Sequence, residues 1–136
     1  MDTNANKQTA RRFYDLFNAG DLSGIAELAV EEYAENDPLP GQGTGREGLV
    51  DRVSMLVGAL APHFTVEDVV AEGDRVVVRW SQTGTHVGEF FGAPATGRTF
   101  VGSGIDIYRL TDDGQLAEHW HAVDLFGLLT QLGLVG

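Results

Sequence analysis

Between Leu60 and Phe64 the period of the hydrophobic pattern changes, and this change constrains the fold more than any single motif. Upstream, apolar residues recur at helical spacing: Ala10, Phe13, Tyr14 and Phe17 stand at i, i+3, i+4 and i+7. A first helix is therefore expected from about Asn6 to Ala19, with Gly20 as its stop. Asp21 can cap a short second helix carrying Ile25, Leu28 and Ala29. Two prolines and three glycines between Glu35 and Gly45 enforce a loop. Thr44 followed by Glu47 then reads as a capping box. The helix it opens carries Leu49, Val53, Leu56, Val57 and Leu60 on one face and ends before Pro62.

Downstream the chain reads as strands. Phe64–Ala71 and Arg75–His86 flank Gly73-Asp74, a tight hairpin turn. Phe100–Leu110 and Gln115–Val123 flank Thr111-Asp112-Asp113-Gly114, a second hairpin, and a short helix over Leu125–Leu132 follows. Helices first and antiparallel strands after them predict an α+β fold, with helices covering one face of a curved sheet.

Composition narrows the function classes. At 136 residues and 43% hydrophobic, without repeat or linker, the chain reads as one domain over 1–136 with a real core. No run approaches the ~18 apolar residues of a membrane span, and Met1 to Lys7 lack the order of a secretory signal. The absence of cysteine excludes disulfides and thiolate metal sites, so a reducing, cytoplasmic setting is expected. A formal charge of −11 with scattered arginines argues against a nucleic-acid partner; no membrane partner is expected either.

The last hairpin holds the chemistry. A four-residue loop would pair Leu110 with Gln115, and so Asp106 with His119 and Gly104 with His121. Alternation then sets Asp106, His119 and His121 on one sheet face. A carboxylate bonded to one imidazole nitrogen fixes the tautomer while the other nitrogen takes a proton. In an apolar pocket such a base could remove a proton alpha to a carbonyl or activate a water. The same residues could instead line a solvated sheet face, or His119, His121 and Asp106 could form a two-His, one-carboxylate metal set; no metal is the expectation adopted. Tyr14 and Trp80 are candidate pocket walls, and His86 is a strand-end residue that could face a ligand. Asn36-Asp37-Pro38 carries turn chemistry. The glycines at 41, 43 and 45 form no phosphate-binding fingerprint, and no nucleophile elbow is visible.

Several segments carry a resemblance: Ala10–Ala19 with Gly20-Asp21; Gly45-Arg46-Glu47-Gly48-Leu49; Gly84-Thr85-His86-Val87-Gly88-Glu89-Phe90 with Pro94-Ala95-Thr96-Gly97-Arg98; and Gly104-Ile105-Asp106-Ile107-Tyr108-Arg109 followed by Glu118-His119-Trp120-His121. With the tail Asp124…Gln131-Leu132-Gly133, they make the chain resemble the SnoaL-like polyketide cyclases of antibiotic biosynthesis. That branch belongs to the cone-shaped superfamily of ketosteroid isomerase, scytalone dehydratase and limonene epoxide hydrolase. The resemblance implies a cone-shaped α+β barrel around an apolar pocket, a homodimer or homotetramer, and cofactor-independent aldol ring closure of a polyketide ester. It also implies an acid/base aspartate directly after the Trp of the last strand and a histidine on the preceding strand. Here those positions hold His121, after Trp120, and Asp106, so the two residue types are exchanged. The expectation is His121 as general base oriented by Asp106, with His119, Tyr14 and Asn36 binding substrate oxygens and Trp80 and His86 facing the substrate. A water-activating hydrolase or hydratase, a hydroxylase, and a non-catalytic binder of a hydrophobic metabolite are the competing readings.

Overall fold

The period change at Pro62 separates three helices from four strands in the computed structural model, which describes residues 2–135. The chain runs α1 (Thr3–Ala19), α2 (Leu22–Leu28), β1 (Ala29–Glu35), α3 (Gly45–Leu60), β2 (His63–Glu72), β3 (Arg75–Thr85), β4 (Thr99–Leu110), β5 (Leu116–Val123) and α4 (Leu125–Gln131). Helix α1 starts earlier than periodicity suggests because Asp2 caps it, accepting from the Ala5 amide. Gly20, at φ 68°, ends it in the left-handed conformation that glycine adopts without strain. Asp21 caps α2 as expected, through the Gly24 amide. The expected capping box does not form: the Thr44 side chain makes no capping bond, and Gly45, the first residue of α3, has φ 66°, outside standard first-turn geometry.

The five strands form an open, curved sheet in the order β1-β5-β4-β3-β2. All neighbours are antiparallel except β1, which runs parallel to β5. Strand β1 was not anticipated. Its sequence, Ala-Val-Glu-Glu-Tyr-Ala-Glu, offers no apolar alternation, and only Ala29 and Tyr33 are buried. It takes Ala29 away from α2, where periodicity had put it.

The sheet's inner face carries Val76, Val78 and Trp80 of β3 and Tyr108 and Leu110 of β4 into a core shared with Phe13, Tyr14 and Phe17 of α1 and Leu49 and Val53 of α3. A smaller cluster joins Leu60, Phe90, Phe100, Leu128 and Leu132. The helices thus close the concave side of the sheet, and the space left between them is the site.

Candidate active site

A cavity of about 460 Å³ opens between the concave sheet, α1 and α3. Its walls are largely aromatic and aliphatic, from Phe13, Phe17, Leu56, Phe64, Phe90 and Leu128 among others. Polar groups converge on one wall: Tyr14, Tyr33, Arg52, Asp106, His119 and His121.

Register determines this convergence, and it differs from the simple hairpin. The loop is one residue longer than expected, pairing Leu110 with Leu116, and a bulge adds a second residue before Arg109 pairs with Glu118. Asp106 therefore faces His121, and Tyr108 faces His119. Because the two slips sum to an even number, Asp106, His119 and His121 still share the inner face.

The hydrogen bonds run diagonally. Asp106 Oδ1 lies 2.8 Å from His119 Nε2, while Oδ2 accepts from the Tyr14 hydroxyl and, at 2.8 Å, from the Trp80 indole N–H. Tyr108 completes the group, 2.8 Å from the Tyr14 oxygen. Trp80 reaches the carboxylate because Gly104 lies opposite on β4; a side chain there would overlap the indole. Burial alone would raise the Asp106 carboxyl, but the His119 bond and charge and the Tyr14 bond hold it below the usual aspartate value.

His119 is held from both sides. Its Nδ1 contacts Glu35 Oε2 at 2.7 Å and its Nε2 contacts Asp106, so both ring nitrogens donate and the ring is an imidazolium. Burial opposes that charge, yet the two carboxylates outweigh it and push the pKa up to about 9. Glu35 is lowered in turn: burial opposes this, but His119 and Arg52 win. Burial keeps the Tyr14, Tyr33 and Tyr108 phenols protonated, each raised well above its ordinary value.

His121 is different, and here the expected geometry is corrected. Asp106 does not orient it, since both carboxylate oxygens are committed to other donors. Its ring stacks on that of His119, with centroids 5.5 Å apart and an interplanar angle of 7°. Arg52 Nη2 lies 3.3 Å from its Nδ1, and its backbone N–H donates to Asp37 at 2.9 Å. Partial burial, then the positive charges of Arg52 and His119, depress its pKa. The site therefore pairs a locked imidazolium with a neutral imidazole facing the cavity.

Two expected contacts with a ligand are not made by this arrangement. Asn36 is exposed, its amide donating to Glu118 and to the His119 carbonyl, and it does not line the cavity. His86 is fully buried outside the cavity wall, with Nδ1 accepting from the Thr96 amide at 3.2 Å. The missed members are Glu35, Arg52, Tyr33 and Tyr108. Tyr108 follows Asp106 by two and could have been read from alternation. Arg52 sits three residues after Leu49 on the apolar face of α3, an anomaly that should have marked it.

Glu35, His119 and His121 each present an atom within 4.8 Å of the others, a spacing that could hold a metal ion. Both His119 nitrogens are already bonded to carboxylates, and the Arg52 guanidinium abuts His121. An arriving cation would have to displace one bond and face that charge, so the arrangement fits acid/base work better.

An open, curved α+β sheet whose helices leave an apolar cavity with a buried carboxylate–imidazole group on its wall can hold a small apolar molecule against groups able to exchange protons. The SnoaL-like polyketide cyclase family model matches residues 7–132, and the chain belongs to that family. It is 32% identical over 130 residues to the aklanonic acid methyl ester cyclase DauD of Streptomyces sp. (strain C5), covering 90% of this chain and 78% of that one. The nogalonic acid methyl ester cyclase of Streptomyces nogalater is 29% identical over 120 residues, covering 86% and 89%. Among solved structures, TsrD from Streptomyces laurentii superposes with a TM-score of 0.89 at 32% identity over 99% of each chain. The chain is thus a cyclase-type enzyme.

Proposed function

We propose that the chain closes a ring in a polyketide ester by an intramolecular aldol reaction, with His121 as the general base. The neutral imidazole of His121 at the cavity wall carries this reading. A ring nitrogen of His121 takes the proton from a carbon flanked by two carbonyls. The resulting enolate carbon attacks a second carbonyl of the same molecule, forming the C–C bond, and the alkoxide retrieves the proton from His121. No atom leaves and no oxidant is needed.

Surrounding groups have supporting roles. The Arg52 guanidinium is positioned to favour the enolate's negative charge. Protonated His121 beside Arg52 and His119 is a stronger acid than an ordinary imidazolium, which favours returning the proton. Asp106, saturated with donors, holds His119 charged rather than acting as base.

The test is product formation from aklanonic acid methyl ester in ¹⁸O-labelled water. Cyclised product without label, lost in His121→Ala with the fold intact, is expected. General-base loss is worth roughly 10²–10⁴ in rate. Incorporated label would establish the water-activating alternative, and binding without conversion the non-catalytic one.

The expected homodimer or homotetramer finds support on the outer sheet face. Val101 and Ile105 point outward from β4 and are 63% and 43% exposed, an apolar surface suited to a second copy. Sedimentation of wild type and Val101→Lys checks it. No helix among the described residues is long and apolar enough to cross a membrane; a cytoplasmic setting remains part of the proposal.

A further inference from the structure

Gln82 is the polar residue of the cavity that the acid/base group does not use. It lies on the inner face of β3, 7% exposed, and lines the cavity. Its rung pairs Phe64 of β2 on one side and Gly102 of β4 on the other. None of the side-chain hydrogen bonds among the described residues involves the Gln82 amide, whose atoms stay accessible from the cavity; of the other polar groups on the wall, only the buried Tyr33 hydroxyl is likewise without a partner. The amide rests against the bare backbone of Gly102: its nitrogen is 3.3 Å from where a Cβ would stand at 102. A larger residue at 102 would crowd it.

The amide is not tied into any protein hydrogen bond, so its donor and acceptor face the cavity. A free donor and acceptor facing a ligand-sized space fits a partner that arrives with the ligand. Resting on the proposed function above, we propose that Gln82 is a specificity subsite that hydrogen-bonds a hydroxyl or carbonyl oxygen of a polycyclic substrate, on a ring remote from the one being closed.

The separation supports the remoteness. His121 pairs with Asp106, which pairs with Val78, four residues before Gln82 on β3. At about 3.3 Å per residue the two rungs are roughly 13 Å apart along the strands. A molecule that meets both groups is extended and several rings long. The wall between them is supplied by Trp80 and Phe64, whose rings stand edge to face at 4.9 Å between centroids. The amide therefore reads an oxygen's position along an otherwise apolar body, where a missing partner is discriminated strongly.

The experiment titrates wild type, Gln82→Leu and Gln82→Asn with 1,8-dihydroxyanthraquinone and with anthracene, following quenching of tryptophan fluorescence. The proposal predicts that Gln82→Leu weakens the dihydroxyanthraquinone on the order of tenfold. It should leave anthracene binding unchanged or tighter. Gln82→Asn, whose amide is retracted by one methylene, should weaken the dihydroxyanthraquinone as well. Equal affinity of wild type and Gln82→Leu for the dihydroxyanthraquinone overturns the subsite while leaving the cyclase reading standing. A lowered midpoint in both variants with equal loss for both probes also overturns it, showing a packing role. Failure of either probe to quench wild type removes the polycycle reading of the cavity, and the subsite with it.

Discussion

Raising the pH should remove stability through one histidine. His119 sits between Glu35 and Asp106 with its side chain 5% exposed, and its pKa rises from 6.5 to about 9 on folding. Because the folded chain holds this proton more tightly than the unfolded one, the stabilisation is complete below pH 6.5. It is lost as the pH rises through the folded value. The difference between 6.5 and about 9 corresponds to roughly 3 kcal/mol, and at this burial solvent screening removes little of it. Urea denaturation at intervals from pH 6 to pH 9.5 measures it, with His119→Gln as the reference that has no proton to lose. Wild type should exceed the variant most at the acid end, and its advantage should shrink by roughly that amount toward the alkaline end. A wild-type advantage that stays constant across the range would refute the picture of a folded-state imidazolium between two carboxylates.

Two further substitutions test local geometry. Gly104→Ala places a methyl against the Trp80 ring and 2.9 Å from the Ala122 carbonyl; urea denaturation should show a loss of about 1–3 kcal/mol, with slower cyclisation as the indole leaves Asp106. Asp21→Ala should lower stability by about 1 kcal/mol, while Thr44→Ala should change it by a few tenths at most, because only Asp21 makes a capping bond.

The architecture was readable from the sequence wherever periodicity was strong. Helix α1, the β2–β3 hairpin and the span of β4 follow directly from residue spacing, and the helix-then-strand order carried the fold class. Strand β1 was not readable, because its parallel pairing with β5 is long-range and its three glutamates mask its alternation. At the site, alternation grouped Asp106, His119 and His121 on one face, yet which imidazole Asp106 bonds depended on a bulge with no glycine or other sequence mark. Glu35 and Arg52 approach from β1 and α3, and no pattern local to the last hairpin reports them. His86 reads as ligand-facing from its polarity at a strand end, and Asn36 only as part of the cyclase-like reading, but neighbouring backbone groups already use both side chains.

The account turns on a neutral imidazole at position 121 doing the proton transfer while its stacked neighbour stays charged. The most direct measurement is the pH dependence of kcat/KM for ring closure, in wild type and in His121→Ala. Wild type should rise along an acid limb set by a group below pH 6.5, where His121 loses its proton, and fall near pH 9 as His119 loses its own. The variant's residual rate should lack the acid limb. An acid limb that survives unchanged in His121→Ala, at near-normal turnover, would contradict the account.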